Sequence, residues 1–420
     1  MNRKAIVVLS GIAAMFSAEV VRAQALADRV PGDAVIYVGW AGAEAAKAKY
    51  GETHLKAVLD ALKISHSSQT LVFSKTSLQR DLIAPWRPRA LYFNDDSYIG
   101  WVQGSDVLEL ASIDKKIGPV FYTLSQIDTD KPQFLRHTDN CLQCHEGSMT
   151  ASVPGFMVRS VYPDASGMPM FSAGTFRTTD SSPFKERFGG WYVTGNHGSL
   201  RHMGNIVLRK KDDPEHLDLN KGANSNDLAD YFDVSPYLRK TSDISALMVL
   251  THQAQVHNLM TRAGYEVRVT MRDQAAMNKA LKEKPDHVFD STPRRISSAC
   301  EPLIEAMLFY EEEPLTDKID GNSDFAADFS KMGPKDKQGR SLRDLDLTKR
   351  LFKYPCSFLI YSEPFRALPR EAQTQIYHRL FEILSGRDTS KEFSHLSPED
   401  RKAIKEILSE TIADLPEEWK

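Results

Sequence analysis

The stretch Ala90-Leu91-Tyr92-Phe93, Asn94-Asp95-Asp96-Ser97, Tyr98-Ile99-Gly100-Trp101-Val102 decides the fold. Two short apolar runs rich in aromatic and branched side chains flank a cluster of Asn, Asp and Ser, which is the composition of a strand, a turn and a second strand. Leu71-Val72-Phe73 precedes this unit; Val107-Leu108-Glu109-Leu110 and Val120-Phe121-Tyr122-Thr123-Leu124 follow it, parted by Asp114-Lys115-Lys116-Ile117-Gly118. The spacing predicts an antiparallel meander. Upstream, Ala34-Val35-Ile36-Tyr37-Val38 reads as a strand and Leu55, Val58, Leu59 and Leu62 as one face of a helix. Downstream, Phe156 to Tyr162, Met170 to Ser172 and Trp191 to Thr194 read as further strands, the first two joined by Pro163-Asp164-Ala165-Ser166-Gly167.

Past residue 240 the apolar period changes from two to 3.6. Ser242 is placed to cap a helix ending at Gly264. Others are expected around Ile304, Met307 and Leu308, from Ile376 to a stop at Gly386, and after Ser397-Pro398-Glu399-Asp400. Between Pro314 and Arg340 lies a stretch of Gly, Pro, Lys and Asp with little periodicity, expected as a long functional or mobile loop. The predicted class is α+β: a β-rich region over residues 26–240 and a helical one over 241–420.

The chain has 420 residues, 41% hydrophobic and 26% charged, with a formal charge of −3, so disordered and low-complexity readings fall away. No excess positive field exists to hold a nucleic acid. Arg3 and Lys4 precede the apolar run from Ala5 to Phe16, and Ala23-Gln24-Ala25 follows. This is the pattern of a secretory signal over residues 1–25, cleaved after Ala25 with Ala23 as a rival site, and it predicts a periplasmic protein. Cleavage takes the charge from −3 to −5, because Arg3, Lys4 and Arg22 leave with only Glu19. No later run is long enough to span a membrane.

Cys141-Leu142-Gln143-Cys144-His145 is the motif that carries chemistry. C-x-x-C-H attaches c-type haem: the two thiols form thioethers with the vinyl groups, and the histidine ligates the iron. Three other uses of the pair are less well matched. A disulfide between Cys141 and Cys144 closes a very tight ring, and a thioredoxin-like pair needs a βαβ context that the pattern lacks. Zinc needs two more ligands, yet Cys300 and Cys356 lie 156 and 212 residues beyond Cys144.

On this motif the chain resembles c-type cytochromes, and specifically large exported bacterial proteins with a single such motif. Gly190-Trp191-Tyr192-Val193-Thr194-Gly195-Asn196-His197-Gly198 and Leu351-Phe352-Lys353-Tyr354-Pro355-Cys356 are similar to text in uncharacterised members of that group. The resemblance implies one covalent haem c, held by Cys141, Cys144 and His145. It also offers Met203, 58 residues after His145, as the sixth iron ligand, with His202 as the rival and Met157, Met168 and Met170 behind them. A packed core methionine and a backbone-bonded histidine are the plain alternatives for Met203 and His202.

Haem propionates call for charge-assisted donors, for which Arg159 and Arg201 are the candidates, against a solvated surface role. Trp191 and Tyr192 are candidates for the ring edge or for plain core. His202 and His257 are the candidate acid–base groups. His252 and His257 stand about 140° apart around a helix, so they do not share a face for a metal. Cys300 and Cys356 form either a disulfide or two buried thiols. Two functions follow: a haem oxidoreductase acting on peroxide, oxygen or a small oxidisable molecule, and a non-catalytic electron carrier or sensor docking to a redox partner. The length favours the first, since electron transfer alone needs far less protein.

Overall fold

Five runs of the predicted meander pair as drawn, and three more strands extend the sheet. A computed structural model describes residues 36–37 (backbone only), 54–127, 133–138, 141–209 and 212–419; the expected signal peptide, residues 1–25, lies outside them. The strands are β1 (Ile36–Tyr37), β2 (Thr70–Val72), β3 (Arg89–Phe93), β4 (Ser97–Trp101), β5 (Val107–Asp114), β6 (Gly118–Ser125), β7 (Gln133–His137), β8 (Arg159–Val161), β9 (Thr175–Arg177) and β10 (Trp191–Tyr192). Eight form one sheet in the order β1-β7-β6-β5-β4-β3-β2-β10, with every neighbouring pair antiparallel. Asn94 makes the β3–β4 turn: its Oδ1 accepts the Ser97 N–H at 3.0 Å, and its own N–H bonds the Ser97 carbonyl at 3.1 Å.

Alternation along the strands divides the sheet between two cores. Ala90, Tyr92, Ile99, Leu108, Leu110, Tyr122 and Leu124 face one, where helix α1 (Leu55–Leu62) packs with Leu228, Phe232 and Tyr237. Phe93, Ala111, Ile113 and Phe121 face the other, with Tyr98 packed beside them. Burying each of the leucine, isoleucine and phenylalanine side chains among them contributes about 1.5–3 kcal/mol, so both faces stabilise the meander. The second core holds residues from both sides of residue 240.

The remaining helices are α2 (Leu142–His145), α3 (Ile244–Leu281), α4 (Ser291–Met307), α5 (Phe325–Lys331), α6 (Glu363–Arg366), α7 (Arg370–Leu384) and α8 (Pro398–Thr411). Among the described residues no helix is long and apolar enough to cross a membrane. Two helical expectations are corrected. α3 is capped by Asp243, whose carboxylate accepts the Ser245 N–H at 2.7 Å, and it runs 38 residues, through Gly264. The helix continues through Gly264, where a Cβ would meet Leu368 at an ordinary 3.4 Å, so the residue acts as neither a stop nor a gap. Ser242 instead bridges two strands, accepting from the Leu71 N–H and donating to the Tyr192 carbonyl. The stretch Pro314–Arg340, expected as a loop, contains α5, which puts Phe325 and Phe329 into the core.

Of the second predicted β region, β8 and β10 form within the expected runs, Phe171–Ala173 is a 3-10 turn, β9 is a strand the pattern did not indicate, and the described residues between β10 and α3 hold no strand. The capping box at Ser397 and the left-handed Gly386 stand where the sequence placed helix ends. All four cysteines are free thiols, with Cys300 and Cys356 buried.

Candidate functional site

The five-residue motif folds as a single helical turn. Cys141 stands at the N-cap of α2, and its carbonyl accepts from the N–H groups of Cys144 at 3.2 Å and His145 at 2.9 Å. Residues at this spacing share a helix face, so the two thiols lie on one side of the turn. Leu142 packs against the core while Cys144 is exposed, which anchors the turn at the surface. Burial, aided by the negative Glu109, raises the Cys141 thiol above its ordinary pKa, the opposite of what a redox-active cysteine needs.

His145 is held from the segment that follows. The chain reverses through Ala151 and Ser152, both left-handed (φ 61° and 59°), and returns Gly155 to the turn. The Gly155 N–H donates to the His145 carbonyl at 2.8 Å, and the Gly155 carbonyl lies 2.9 Å from His145 Nδ1. A carbonyl only accepts, so Nδ1 carries the proton and Nε2 presents its lone pair. Burial lowers the imidazole pKa, opposed by the Gly155 bond and assisted by Arg89, so the ring is neutral and fit to ligate a metal. Phe121 of β6 packs on it with ring centres 4.6 Å apart. Arg89 and Glu109, ion-paired across the same sheet face, act on both Cys141 and His145. Among the described residues no three His, Cys, Asp or Glu side chains gather to hold a bare metal ion.

Behind Phe121 the aromatic run continues. Phe156 lies 6.1 Å from Phe121 and 4.2 Å from Tyr98, and His257 of α3 lies 6.1 Å from Phe156. His257 Nδ1 bonds the Tyr98 hydroxyl at 2.9 Å, and Gln253 donates to that hydroxyl at 2.7 Å. Burial lowers the His257 pKa to about 3, so the ring is neutral. Asn258, the next residue, brackets Phe156: its Oδ1 accepts the Phe156 N–H and its Nδ2 donates to the Phe156 carbonyl, both at 2.7 Å.

The other expected site residues form a second group. Trp191 donates Nε1–H to the Arg159 carbonyl, and Ser160 donates to the Met203 sulfur at 3.5 Å. Met203 is buried with Tyr162, Ile206 and Leu208. The Arg159 side chain bonds Thr175 and lies over the Phe171 ring, while that of Arg201 is committed to Asn220 and the carbonyls of Gly198 and Leu200. Tyr192 donates its hydroxyl to the Pro85 carbonyl. His202 accepts the Gly204 N–H on Nδ1, lies 4.7 Å from His197 and is lowered to about 3 by burial. None of these hydrogen bonds or ring contacts reaches Cys141, Cys144 or His145. Of the expected residues, the structure thus gathers Cys141, Cys144, His145 and, through Phe156, His257.

His252, one turn before His257, points elsewhere. Its Nδ1 bonds Asp180 at 2.7 Å and its Nε2 bonds Ser357 at 2.8 Å. The constellation is that of a hydrolytic triad, but His252 and Ser357 are wholly buried beside Phe309, Phe352 and Phe358, leaving a substrate no access. It works as an internal staple between α3 and two distant loops. Sequence reasoning missed this chain and also missed Gly155, Asn258 and the Arg89–Glu109 pair. Gln253 and Asn258, amides at buried positions of an apolar helix, were the available signal.

Compared with protein families, with curated proteins and with solved structures, the chain matches none of them.

Proposed function

We propose that the chain carries one haem c, bound through Cys141 and Cys144 with His145 as proximal ligand, and acts as a periplasmic oxidoreductase on a small molecule. The reading rests on His145: a neutral imidazole with Nδ1–H tied to a backbone carbonyl offers Nε2 beside two free thiols on one helical turn. When bound, the haem supplies a redox-active iron for peroxide, oxygen or a small oxidisable molecule.

The chain's own groups have distinct tasks in this reading. Gly155 keeps Nδ1 protonated, and Phe121 sets the plane of the imidazole. Arg89, whose charge acts on both Cys141 and His145, is the cation placed beside the motif to meet a propionate, whereas the hydrogen bonds of Arg159 and Arg201 lie elsewhere. His257 stays neutral and orients Tyr98 behind Phe156, which suits it to positioning more than to proton transfer. Met203, already in contact with Ser160, would have to leave its cluster to serve as the sixth ligand.

The exposure of Cys144 favours a second reading, an electron carrier with a haem edge open to a redox partner. Expression in a host that attaches c-type haem tests both. Covalent haem that survives denaturation, and is lost in the double variant Cys141→Ala/Cys144→Ala, is expected. Binding of cyanide or carbon monoxide supports the oxidoreductase; a low-spin iron with two strong ligands that binds neither supports the carrier. A wild-type chain without covalent haem ends both readings.

A further inference from the structure

We propose that Asn258 is the positioning residue for His145, acting through the peptide unit that joins Gly155 to Phe156. The inference deepens the haem reading and rests on it. The Gly155 carbonyl and the Phe156 N–H belong to one planar trans peptide, so they point in opposite directions from the same rigid plate. The carbonyl accepts His145 Nδ1–H at 2.9 Å on one side; the N–H donates to Asn258 Oδ1 at 2.7 Å on the other. Rotating the plate breaks both bonds together. Asn258 also donates to the Phe156 carbonyl at 2.7 Å, so it grips the residue as a neighbouring strand would.

The bracket is rigid and dry. Asn258 is 3% exposed, within the body of the 38-residue helix α3. Gly155 is part of the device: a Cβ there would stand 2.5 Å from Asn258 Oδ1 and 2.8 Å from the Thr150 Cβ, so glycine alone lets the amide approach. A peptide whose N–H is bonded to an amide oxygen is polarised, which strengthens its carbonyl as an acceptor. Asn258 thereby governs how firmly Nδ1–H is held and how much electron density Nε2 offers the iron.

The test compares the haem-loaded wild-type chain with Asn258→Ala and Asn258→Asp. The His145 Nδ1–H is followed by NMR in the diamagnetic ferrous state, with carbon monoxide added where the iron is high-spin. In Asn258→Ala we expect its solvent exchange to accelerate about tenfold, the factor that one hydrogen bond of ordinary net strength represents, and the midpoint potential to rise. Asn258→Asp keeps the acceptor for the Phe156 N–H but loses the donor to the Phe156 carbonyl, so its exchange is expected to lie between those of the wild type and Asn258→Ala. Should Asn258→Ala not fold, Asn258→Ser, whose shorter hydroxyl does not span to Phe156, carries the same expectation. Haem-loaded Asn258→Ala or Asn258→Ser with wild-type exchange and potential overturns the proposal and leaves the haem reading intact. A wild-type chain without covalent haem removes both.

Discussion

Gly155 and His145 hold each other twice, through the Gly155 N–H on the His145 carbonyl at 2.8 Å and the His145 Nδ1–H on the Gly155 carbonyl at 2.9 Å. The pair closes the segment after the motif into a loop and fixes the tautomer of the imidazole in one stroke.

Gly155→Ala sets a methyl group against Asn258 and the Thr150 Cβ. A loss of about 1–3 kcal/mol is expected from the overpacking, read as a lower urea midpoint at unchanged slope. In the double variant Gly155→Ala/Asn258→Ala, removal of the amide relieves part of the clash, so the two losses sum to more than the combined loss. Strict additivity would show that the amide is not what the methyl meets.

Stability is expected to peak near neutral pH, because the lowered histidines return on unfolding toward the ordinary value of 6.5 while the folded state holds a proton on Glu312. Burial lowers His202 and His257 to about 3, so below pH 6.5 the unfolded chain binds the extra protons and stability falls with falling pH. Burial, reinforced by Asp180, raises Glu312 to about 8 from 4.5. Between those values the folded chain holds the extra proton, so stability falls with rising pH. Two histidines outweigh one carboxyl on the acid side, and Glu312 acts alone among the three on the alkaline side. Each net proton changes stability by about 1.4 kcal/mol per pH unit. Urea unfolding from pH 5 to 8 reads the curve; stability still climbing between pH 7 and 8 contradicts it.

Ser357→Ala leaves His252 Nε2 without its partner in a sealed site. A loss of about 1–3 kcal/mol is expected in chemical unfolding. A serine-directed fluorophosphonate is expected to leave the folded wild-type chain unlabelled, because Ser357 is completely buried. Labelling at Ser357 would reopen the triad as a catalytic site.

Burial pushes the Cys300 and Cys356 thiols up to about 12, so both resist maleimide in the folded protein. After denaturation without reductant, the haem-loaded chain is expected to yield two reactive thiols and the haem-free chain four, since all four cysteines are free in the fold. No reactive thiols in the denatured haem-loaded chain would reveal a bridge between Cys300 and Cys356.

Local pattern made much of the fold legible. The meander followed from alternation and from turns such as Asn94-Asp95-Asp96-Ser97, and the last helix from the Ser397 capping box. Gly264 misled because a glycine inside a helix costs only about 1 kcal/mol, which the packing of the buried residues around it in α3 outweighs. The tract from Pro314 to Arg340 misled because one short helix inside it draws its stability from burying Phe325 and Phe329, which leaves little local periodicity.

The sequence by itself determined the turn of the motif: Cys141, Cys144 and His145 need only one turn of backbone to come together, and their spacing states it. Which groups hold that turn was decided by tertiary structure alone. Asn258 reaches Phe156 across 102 residues, His252 reaches Asp180 across 72 and Ser357 across 105. Such partners meet because α3 is packed onto one face of the sheet, and that packing is a sum of many apolar contacts that no short motif encodes.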